Sequence, residues 1–476
     1  MNAPLASSAR PNGQPENRPT PPWEARIPPR LTCPHCWAFF PAEETLWIAE
    51  HEDLRGDPLL GPEAPQRFLP TRFDPQGNAR DLRGMTCTFL ACPHCHLAFP
   101  RALVDCPPIF VSILGIPSCG KTYYLASLCW QMRQTLPRYF RLAFQDADPV
   151  CNLILNQYER LQFFTPDPQA IVKLDKTEEQ GHLYHAVRHG NQLVLYPRPF
   201  FFTLRPLEGH PRFEEATKVA RTLCLYDNAG ESFQPGRDTS ANPVTRHLAR
   251  SQALMFLFDP TQHPAFRKAC HGRTSDPQFL FPRPQVFRQD TVLLEAAHRL
   301  RRLTNLKHHE RHNRPLFVLV TKFDAWQGIF DADLSELPLK PTGMSGMWAL
   351  DWNRVDEISA KLRSLLDATA PEIVSAAEGL AQDVIYLPVS ATGCGPLADE
   401  HGNIQGIPPA SIRPIWVEVP FLAALARWSG GLVPYAVRKT RPSTGPATPP
   451  SSVPQRPPAR PPASSLSPRR REDRTE

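Results

Sequence analysis

The sequence predicts an α/β fold with a mostly parallel sheet flanked by helices, preceded by a small metal-binding module and bounded by disordered ends. Apolar segments alternate with amphipathic segments from about residue 108 onward, which is typical of parallel α/β sheets. Two identical Cys-Pro-His-Cys motifs lie upstream of that alternation. Many of the 56 prolines lie near the two ends of the 476-residue chain, which indicates loose termini around a folded middle.

Composition and the distribution of apolar residues argue against a dedicated nucleic-acid binder, a secreted protein and a membrane-spanning protein. The net charge is +6, with 41% hydrophobic and 21% charged residues, which is not the charge density of a dedicated nucleic-acid binder. The N-terminus lacks the apolar segment of a signal peptide, and the longest apolar runs, Ile109–Ile116 and Ala253–Phe258, are too short to span a bilayer. We therefore expect a cytoplasmic protein without a transmembrane segment. Paired CxxC motifs in such a protein indicate metal binding rather than disulfides.

The chain divides into four predicted parts. Residues 1–30 are expected to be disordered, and 31–107 to form a cysteine-bearing module that is loop-rich in its middle, with few candidate strands. Residues 108–436 are expected to form the α/β domain with insertions, and 437–476 a disordered tail rich in Pro and Arg.

The α/β domain shows six apolar strand candidates and five helix candidates. The strands are predicted at 109–116, 198–207, 221–228, 253–260, 314–324 and 383–391. The helices are predicted at 123–136, 148–163, 289–306, 355–380 and 418–429. The segment 137–197 is longer than a simple crossover needs and is expected to carry its own strand and helix.

The first strand leads into a glycine-rich motif. Residues Gly115 to Thr122 fit G-x-x-x-x-G-K-[ST], in which two glycines let backbone N–H groups wrap a phosphate at the start of a helix. Lys121 is expected to reach the β- and γ-phosphates, and the Thr122 hydroxyl to bind Mg²⁺. The other residues of the predicted phosphate-binding set are Ser118, Cys119, Gly120 and Tyr123.

A later apolar strand ends in Asp-x-x-Gly. Asp227 is expected to hold Mg²⁺, and the Gly230 N–H to contact the γ-phosphate, so that loss of this phosphate frees the loop. An ATPase strand more often continues with Glu, and here Asn228 follows. Glu231 is a candidate for orienting or deprotonating water, with Lys121 and Gly230 completing the predicted catalytic set. The negative charge of Glu231 would repel the γ-phosphate, so slow intrinsic turnover is expected.

Two further motifs follow strands and predict guanine as the base. Asp324, in Thr321-Lys-Phe-Asp, can accept hydrogen bonds from both N1–H and the N2 amino group of guanine, and adenine lacks this pair of donors. Lys322 is expected to lie across the base through its aliphatic stem. Ser390 and Ala391 follow the last strand, where a small residue lets a backbone N–H reach guanine O6. Because parallel strands end at one edge of a sheet, these motifs are expected to share one pocket.

Taken together across about 108–430, these motifs resemble those of the Ras-like (TRAFAC-type) P-loop GTPases. The resemblance implies a P-loop NTPase fold that binds GTP or GDP with Mg²⁺ and hydrolyses GTP as a molecular switch. Two departures are Glu231, where many members have Gln, and the switch threonine, for which Thr165 and Thr177 are candidates. No arginine finger is assigned, since Arg237 and Arg246 are more simply explained as surface charges.

The resemblance has a narrower form. The cysteine module, the long segment before the Asp227 strand and the Phe-Asp-Pro ending at Pro260 are similar to bacterial double-GTPase proteins. These are predicted components of conflict (defence) systems and are found beside a second GTPase. This similarity implies protein partners, among them a second GTPase.

The two Cys-Pro-His-Cys motifs predict a structural zinc site. Two such turns supply four thiolates to one tetrahedral ion and leave no open position for catalysis. The predicted ligands are Cys33, Cys36, Cys92 and Cys95. Alternatives are a histidine replacing a thiol, a spare cysteine or a redox pair, although the strand-helix context of thioredoxin is missing. The residues in question are His35, His94, Cys87 and Cys106.

Three functions remain open from the sequence. The leading one is a GTPase switch, and the alternative is a GTP-dependent assembly module that hydrolyses little. A third is a zinc-ribbon nucleic-acid-binding NTPase. For the zinc ribbon itself we favour protein contact or scaffolding, because no aromatic-basic cluster adjoins it. The arginines of the tail could touch anionic lipid, nucleic acid or an acidic partner, but a solvated end is the simpler explanation.

Overall fold

The structure is a computed structural model that describes seven ranges of the chain. Of Gly230 and Glu231 only the backbone is described. The predicted disordered segments lie outside the described ranges, except for Arg30. Thr177 and Arg237 also lie outside the described ranges. All described residues belong to one compact unit, Met1–Val437, and no helix in them is long and apolar enough to cross a membrane. The described ranges are 30–167, 169–174, 184–227, 230–233, 245–281, 288–344 and 346–436.

A seven-stranded mixed sheet forms the centre of this unit. Its strands lie in the order β2-β3-β4-β1-β5-β6-β7. Strand β3 runs antiparallel to both of its neighbours, whereas the remaining pairs are parallel. The prediction of an α/β sheet is therefore confirmed, with one reversed strand. The strands are β1 (Pro108–Gly115), β2 (Leu142–Asp146), β3 (Phe200–Pro206), β4 (Arg221–Asp227), β5 (Ala253–Phe258), β6 (Leu316–Val320) and β7 (Val384–Pro388).

Six longer helices accompany the sheet. They are α1 (Lys121–Phe140), α2 (Leu153–Phe163), α3 (Asp290–Thr304), α4 (Trp352–Thr369), α5 (Pro371–Leu380) and α6 (Val419–Trp428). Shorter helical turns are Ala102–Asp105, Ala216–Val219, Pro264–Cys270, Pro277–Leu280 and Phe323–Trp326.

Several predicted elements have different bounds, and for two of them the local backbone gives the reason. The helix expected at 355–380 is two helices, because Pro371 begins α5 and a proline inside a continuous helix would lose a hydrogen bond and clash with the preceding turn. The strand expected at 314–324 ends at Val320. Lys322 then adopts a left-handed φ of 58°, and Phe323 opens a short helix.

The segment 137–197 carries more structure than expected. Besides β2 and α2, it ends in an antiparallel hairpin of Tyr184–His189 and Gln192–Pro197. A second hairpin, Leu397–Ala398 with Ile404–Gly406, follows β7. A small sheet of Leu339–Pro341, Trp348–Asp351 and Tyr435–Ala436 lies between β6 and the end of the described chain.

The cysteine-bearing segment is built from short strands, so the expectation of few strands there is wrong. None is longer than five residues, which is too short for an alternating pattern to be recognised in the sequence. The strands are Arg30–Thr32, Phe39–Pro41, Leu46–Ile48, Arg55–Asp57, Gly61–Pro65, Arg67–Phe68, Ala79–Arg80, Thr86–Cys87, Leu90–Ala91 and Ala98–Phe99.

Both faces of the central sheet are buried. Side chains alternate along a strand, and accordingly Val111 and Leu225 join one core cluster with the helices. Phe110 and Tyr226 point the other way and join a second cluster with Trp37 of the cysteine-bearing segment. Burial on both faces explains why the strands read as continuous apolar runs in the sequence.

Candidate functional site

The carboxyl ends of five strands, β1 and β4 to β7, meet at one edge of the sheet. The strand register places Ile113 beside Asp227, and Val320 beside Pro388. The loops that leave this edge therefore carry each predicted motif, and in sheets of this kind ligands bind at such an edge. The loops that follow β1, β6 and β7 are 116–120, 321–324 and 389–392.

The loop after β1 is tightly turned. Ser118 and Gly120 have positive φ angles of 61° and 95°, and α1 begins at the next residue. A Cβ on Gly115 would lie 2.7 Å from Cys119 Sγ and 3.1 Å from the Leu257 carbonyl oxygen. Glycine is therefore required at position 115 for close packing, and at position 120 for its left-handed backbone.

Lys121 lies folded over this loop. Its ammonium donates to the carbonyl oxygens of Gly115 and Ile116 at 3.1 and 3.0 Å, and the residue is only 6% exposed. The Lys121 charge is thus held directly above the turn. Cys119, inside the turn, is buried, and this burial raises the pKa of its thiol, which makes it an unreactive packing residue.

The next two residues open α1. Thr122 is half-buried at the second helical position. The Tyr123 hydroxyl accepts a hydrogen bond from the backbone N–H of Leu174 at 3.0 Å. Tyr123 therefore ties the start of α1 to the segment that contains Leu174.

Asp227 is the last residue of β4 and is 4% exposed. Gly230 and Glu231 begin a short 3-10 helix, Gly230–Phe233. The Glu231 side chain lies outside the description, so its role stays a prediction. Of the two switch-threonine candidates, Thr165 donates its hydroxyl to the Leu161 carbonyl at 2.6 Å, two residues beyond the end of α2.

The loop after β6 is anchored to the end of β5. Thr321 donates to the Phe258 carbonyl through both its N–H and its hydroxyl, at 2.9 and 3.1 Å. The Lys322 ammonium lies 2.6 Å from Asp259 Oδ2 and 3.2 Å from the Thr261 hydroxyl. These bonds fix the direction of the Lys322 stem.

Asp259 is not one of the predicted site residues, although it stands in the Phe-Asp-Pro that ends at Pro260. It is fully buried, and besides Lys322 it accepts from the Thr261 N–H at 3.0 Å, the Thr261 hydroxyl at 2.7 Å and the Gln262 amide at 2.8 Å. A single carboxylate thus organises the loop after β5 and the lysine after β6. The available signal was an Asp that ends an apolar strand, as Asp227 does.

Asp324 faces the loop after β7. The Ser390 hydroxyl donates to Asp324 Oδ1, and the Gly393 N–H in turn donates to Ser390 Oγ at 2.7 Å. Burial raises the pKa of Asp324 to about 6. The Ala391 carbonyl accepts from the Ser127 hydroxyl of α1 at 2.7 Å, so this loop is also tied to the helix.

One cavity of about 140 Å³, the edge cavity, opens between these loops. Nine predicted residues line it together. They are Ser118, Cys119, Gly120, Tyr123, Thr321, Lys322, Asp324, Ser390 and Ala391. Five other predicted residues, Gly115, Lys121, Thr122, Asp227 and Gly230, lie in or beside the loops of this edge but not in its lining.

A wall of the edge cavity was not predicted. Ile404, Gly406 and Ile407 line it from the hairpin after β7. Ile407 and Val172 exchange backbone hydrogen bonds at 3.0 and 2.8 Å, and a Cβ on Gly406 would come within 2.4 Å of the Val172 carbonyl oxygen. Gln278, from a separate short helix, also lines the cavity. Neither segment carries a motif by which it could have been found.

Away from this edge, four cysteines form a compact cluster, the four-cysteine cluster of Cys33, Cys36, Cys92 and Cys95. Their sulfur atoms all lie within 4.8 Å of one another, and the pairs Cys33–Cys95 and Cys36–Cys92 are each 3.7 Å apart. A tetrahedral zinc ion about 2.3 Å from each sulfur requires edges of about 3.8 Å. The cluster therefore fits zinc, as the sequence predicted.

The alternative ligands do not join the cluster. The two ring nitrogens of His35 lie 2.9 Å and 3.3 Å from the carbonyl oxygens of Ala98 and Pro197, and burial lowers the pKa of this imidazole. His94 is exposed. Among the described residues, the metal-ligating group contains only the four predicted cysteines, without Cys87 or Cys106.

Comparison with known proteins gives a distant relative. The chain is similar to a protein of Mycolicibacterium smegmatis named "Putative ESX-1 scaffolding and assembly protein SaeC", with 26% identity over 246 residues. The match covers 52% of this chain and 54% of that protein, so the chain spans about half the length of the curated relative it matches. No family model matches the chain.

Proposed function

We propose that this chain is an assembly protein that binds a guanine nucleotide with Mg²⁺ and uses it as a structural ligand, with little hydrolysis. The observation that carries the proposal is the edge cavity, because the glycine-turn residue Gly120, the carboxylate of Asp324 and the loop at Ser390 line one space. A nucleotide needs this combination, with an anion-binding turn at one end and base-selective groups at the other.

The phosphate end of the proposed site rests on α1 and its preceding turn. Left-handed backbone at Ser118 and Gly120 is the geometry in which successive N–H groups converge on an anion, and the helix N-terminus adds partial positive charge. Lys121 is held beside the turn by loop carbonyls, from which it can transfer to a phosphate. Thr122 and Asp227 supply the oxygen ligands that Mg²⁺ prefers.

The base end rests on Asp324 and Lys322. Ionised Asp324 can accept from the two adjacent donors of guanine, and a buried site built for two hydrogen bonds discriminates strongly against a base that lacks them. Asp259 holds Lys322, so its stem has a fixed direction along the cavity. The P-loop GTPase resemblance belongs to this proposal and implies the same assignments.

The assembly role rests on the relative and on the metal cluster. The similar protein is named for scaffolding and assembly, and a closed four-thiolate site supplies structure rather than catalysis. We expect the nucleotide-bound chain to assemble with protein partners, a second GTPase among them.

The test is nucleotide binding by the purified full chain with Mg²⁺, measured by titration of fluorescent GDP and GTP analogues with ATP as competitor. We expect saturable guanine binding that ATP does not displace, and Asp324→Asn should shift preference from guanine to xanthine nucleotides. Absence of binding, or equal displacement by ATP, would overturn the proposal. Size measurements with a candidate partner should show a complex that depends on GTP or GDP.

A second candidate, the GTPase switch, is favoured by one observation: the helical turn Gly230–Phe233 begins three residues after Asp227, which ends β4. In a switch, this turn would respond to the γ-phosphate. Phosphate release under multiple turnover separates the two functions, since fast release favours the switch. A rate unchanged in Glu231→Ala would argue against any role for that residue.

A further inference from the structure

Tyr226 lies between the strand end of the edge cavity and the four-cysteine cluster. It is the residue before Asp227 and is fully buried. Because successive side chains of a strand point to opposite faces, Tyr226 points away from the face that Asp227 uses. It enters the core cluster shared by the sheet and the cysteine-bearing segment.

The phenol of Tyr226 is bonded directly to one of the cysteine turns. Its hydroxyl donates to the Pro34 carbonyl at 2.5 Å and accepts from Trp37 Nε1 at 3.1 Å. Pro34 lies between Cys33 and Cys36, and Trp37 follows immediately. The turn thus contacts Tyr226 on both sides of the predicted ligand Cys36.

The other side of the Tyr226 ring is fixed as well. It stacks on His247 with ring centres 4.5 Å apart and planes 10° apart. The His247 Nδ1 atom lies 2.5 Å from the hydroxyl of Ser112, which pairs with Tyr226 in the strand register and lies three residues before Gly115. The aromatic stack therefore reaches from the cysteine turn to the strand that carries the glycine-rich loop.

The cysteine-bearing segment also holds the hairpin Tyr184–Pro197. The Arg188 N–H donates to the Leu59 carbonyl at 2.9 Å, and the ring of His35 meets that of His185 at 5.2 Å. The hairpin leads directly into β3, which pairs with β4. Two separate contacts therefore connect this segment to the strands at the Asp227 end of the site.

We propose that Tyr226 is a positioning residue through which metal binding by the four-cysteine cluster strengthens Mg²⁺-nucleotide binding at the edge cavity. The proposal rests on the proposed function. A metal ion fixes the turn that holds Pro34 and Trp37, and metal-bound turns of this kind lose their structure when the metal leaves. With the turn released, the Tyr226 hydroxyl loses both bonds, and the end of β4 is no longer held in one position.

The coupling is reciprocal by thermodynamic necessity. If zinc raises the affinity for Mg²⁺-GDP, then Mg²⁺-GDP raises the affinity for zinc by the same factor. The effect passes through Asp227, and therefore concerns the Mg²⁺-dependent part of nucleotide binding. Nucleotide binding without Mg²⁺ should be indifferent to zinc.

The first experiment uses the full chain and a fluorescent GDP, titrated with and without Mg²⁺, before and after treatment with a zinc-selective chelator that leaves Mg²⁺ free. In the wild type, zinc removal should lower the affinity for Mg²⁺-GDP by about tenfold, within the usual range for coupled sites. The affinity for GDP without Mg²⁺ should stay unchanged.

The second experiment compares Tyr226→Phe with Tyr386→Phe. Tyr226→Phe keeps the ring and its stacking and removes only the hydroxyl, so the zinc-bound variant should show about a tenfold lower affinity for Mg²⁺-GDP. Zinc removal should then cause no further loss. Tyr386 is a buried tyrosine of β7 whose hydroxyl bonds Glu378 at 3.2 Å, and its variant should respond to zinc as the wild type does.

A third measurement follows zinc transfer to a chromogenic chelator. At equilibrium, Mg²⁺-GDP should reduce the amount of zinc transferred in the wild type and in Tyr386→Phe, but not in Tyr226→Phe. A Tyr226→Phe protein that binds Mg²⁺-GDP and responds to zinc removal like the wild type overturns the coupling alone. A wild type that binds no guanine nucleotide overturns the proposed function as well. If the zinc-free chain unfolds, the affinity of the zinc-bound Tyr226→Phe protein for Mg²⁺-GDP still tests the proposal.

Discussion

At the scale of single residues, Asp324 links the geometry of the edge cavity to its chemistry. The carboxyl is partly buried and receives the Ser390 hydroxyl. Burial raises its pKa to about 6, and the charge of Asp276 raises it further, whereas the Ser390 bond opposes the shift. Only the ionised form can accept two hydrogen bonds from guanine. Because the pKa of this carboxyl is about 6, it changes between its two forms in a pH range where binding can be measured.

We therefore expect guanine affinity to fall with pH as Asp324 becomes protonated. With a pKa of about 6, the ionised fraction drops about tenfold between pH 7 and pH 5. The ratio of wild-type to Asp324→Ala affinities for GDP should fall by a similar factor, and taking the ratio removes the titration of the phosphates. Equilibrium titration with a fluorescent GDP measures both. A ratio independent of pH would contradict the assignment of Asp324 to the base.

The sequence predicts the residues that line this cavity better than the residues that hold them in place. Gly120, Lys322 and Asp324 are recognisable because each belongs to a short motif at the end of an apolar run. Asp259 ends an apolar run in Phe-Asp-Pro, but nothing in that run shows that its carboxylate bonds the ammonium of Lys322, 63 residues later. Tyr226 is equally hidden, since an apolar strand offers no sign that one hydroxyl contacts a turn 192 residues earlier.

At the scale of elements, the pair Asp259 and Lys322 joins the ends of β5 and β6. Asp259 is fully buried and the Lys322 side chain is 17% exposed. Removing one partner of a buried pair is costly because the other charge is left without compensation. This pair therefore contributes to the fold as well as to the direction of Lys322.

Asp259→Ala should lower the free energy of unfolding by about 3 kcal/mol or more. The matched control is Glu357→Ala, which breaks exposed pairs with Arg354 and Lys361 and should change the free energy of unfolding little, because water screens such pairs. Urea unfolding at neutral pH, followed by circular dichroism, measures both. Equal losses in the two variants would show that the Asp259 pair acts as a surface pair.

The elements of the central sheet were predictable because they are apolar and continuous. The strands of the cysteine-bearing segment were not, because two to five residues cannot display an alternating pattern. The hairpins Tyr184–Pro197 and Leu397–Gly406 were missed for a related reason. Backbone hydrogen bonds to distant segments hold them, at Leu59 for the first and at Val172 beside the second, and such bonds leave no local pattern in the sequence.

At the scale of the whole described unit, the cysteine-bearing segment and the central sheet share a core. Trp37 and Phe40 lie in one cluster with Phe110, Phe201 and Tyr226. The opposite faces of the same strands form the cluster with the helices. Since β1, β3 and β4 contribute to both clusters, loss of one cluster exposes apolar surface of the other, and the predicted boundary at residue 107 is not expected to be a boundary of folding.

The last prediction is that metal loss and unfolding of the sheet form a single transition. A core shared in this way unfolds cooperatively, and metal bound only to the folded state raises its midpoint. In a cobalt-substituted chain, the thiolate–metal absorption and the far-ultraviolet circular dichroism should therefore disappear at the same temperature. Chelation should lower that temperature by several degrees.

The cysteines provide the matched variants for this experiment. Cys92→Ser removes a predicted ligand and should reproduce the midpoint of the chelated protein, whereas Cys87→Ala changes a buried cysteine outside the cluster and should keep one metal ion per chain. An independently folded module would lose its metal absorption in a separate, earlier transition and leave the sheet intact. That outcome would also remove the physical basis for coupling through Tyr226, because a module that melts alone exerts no force on β4.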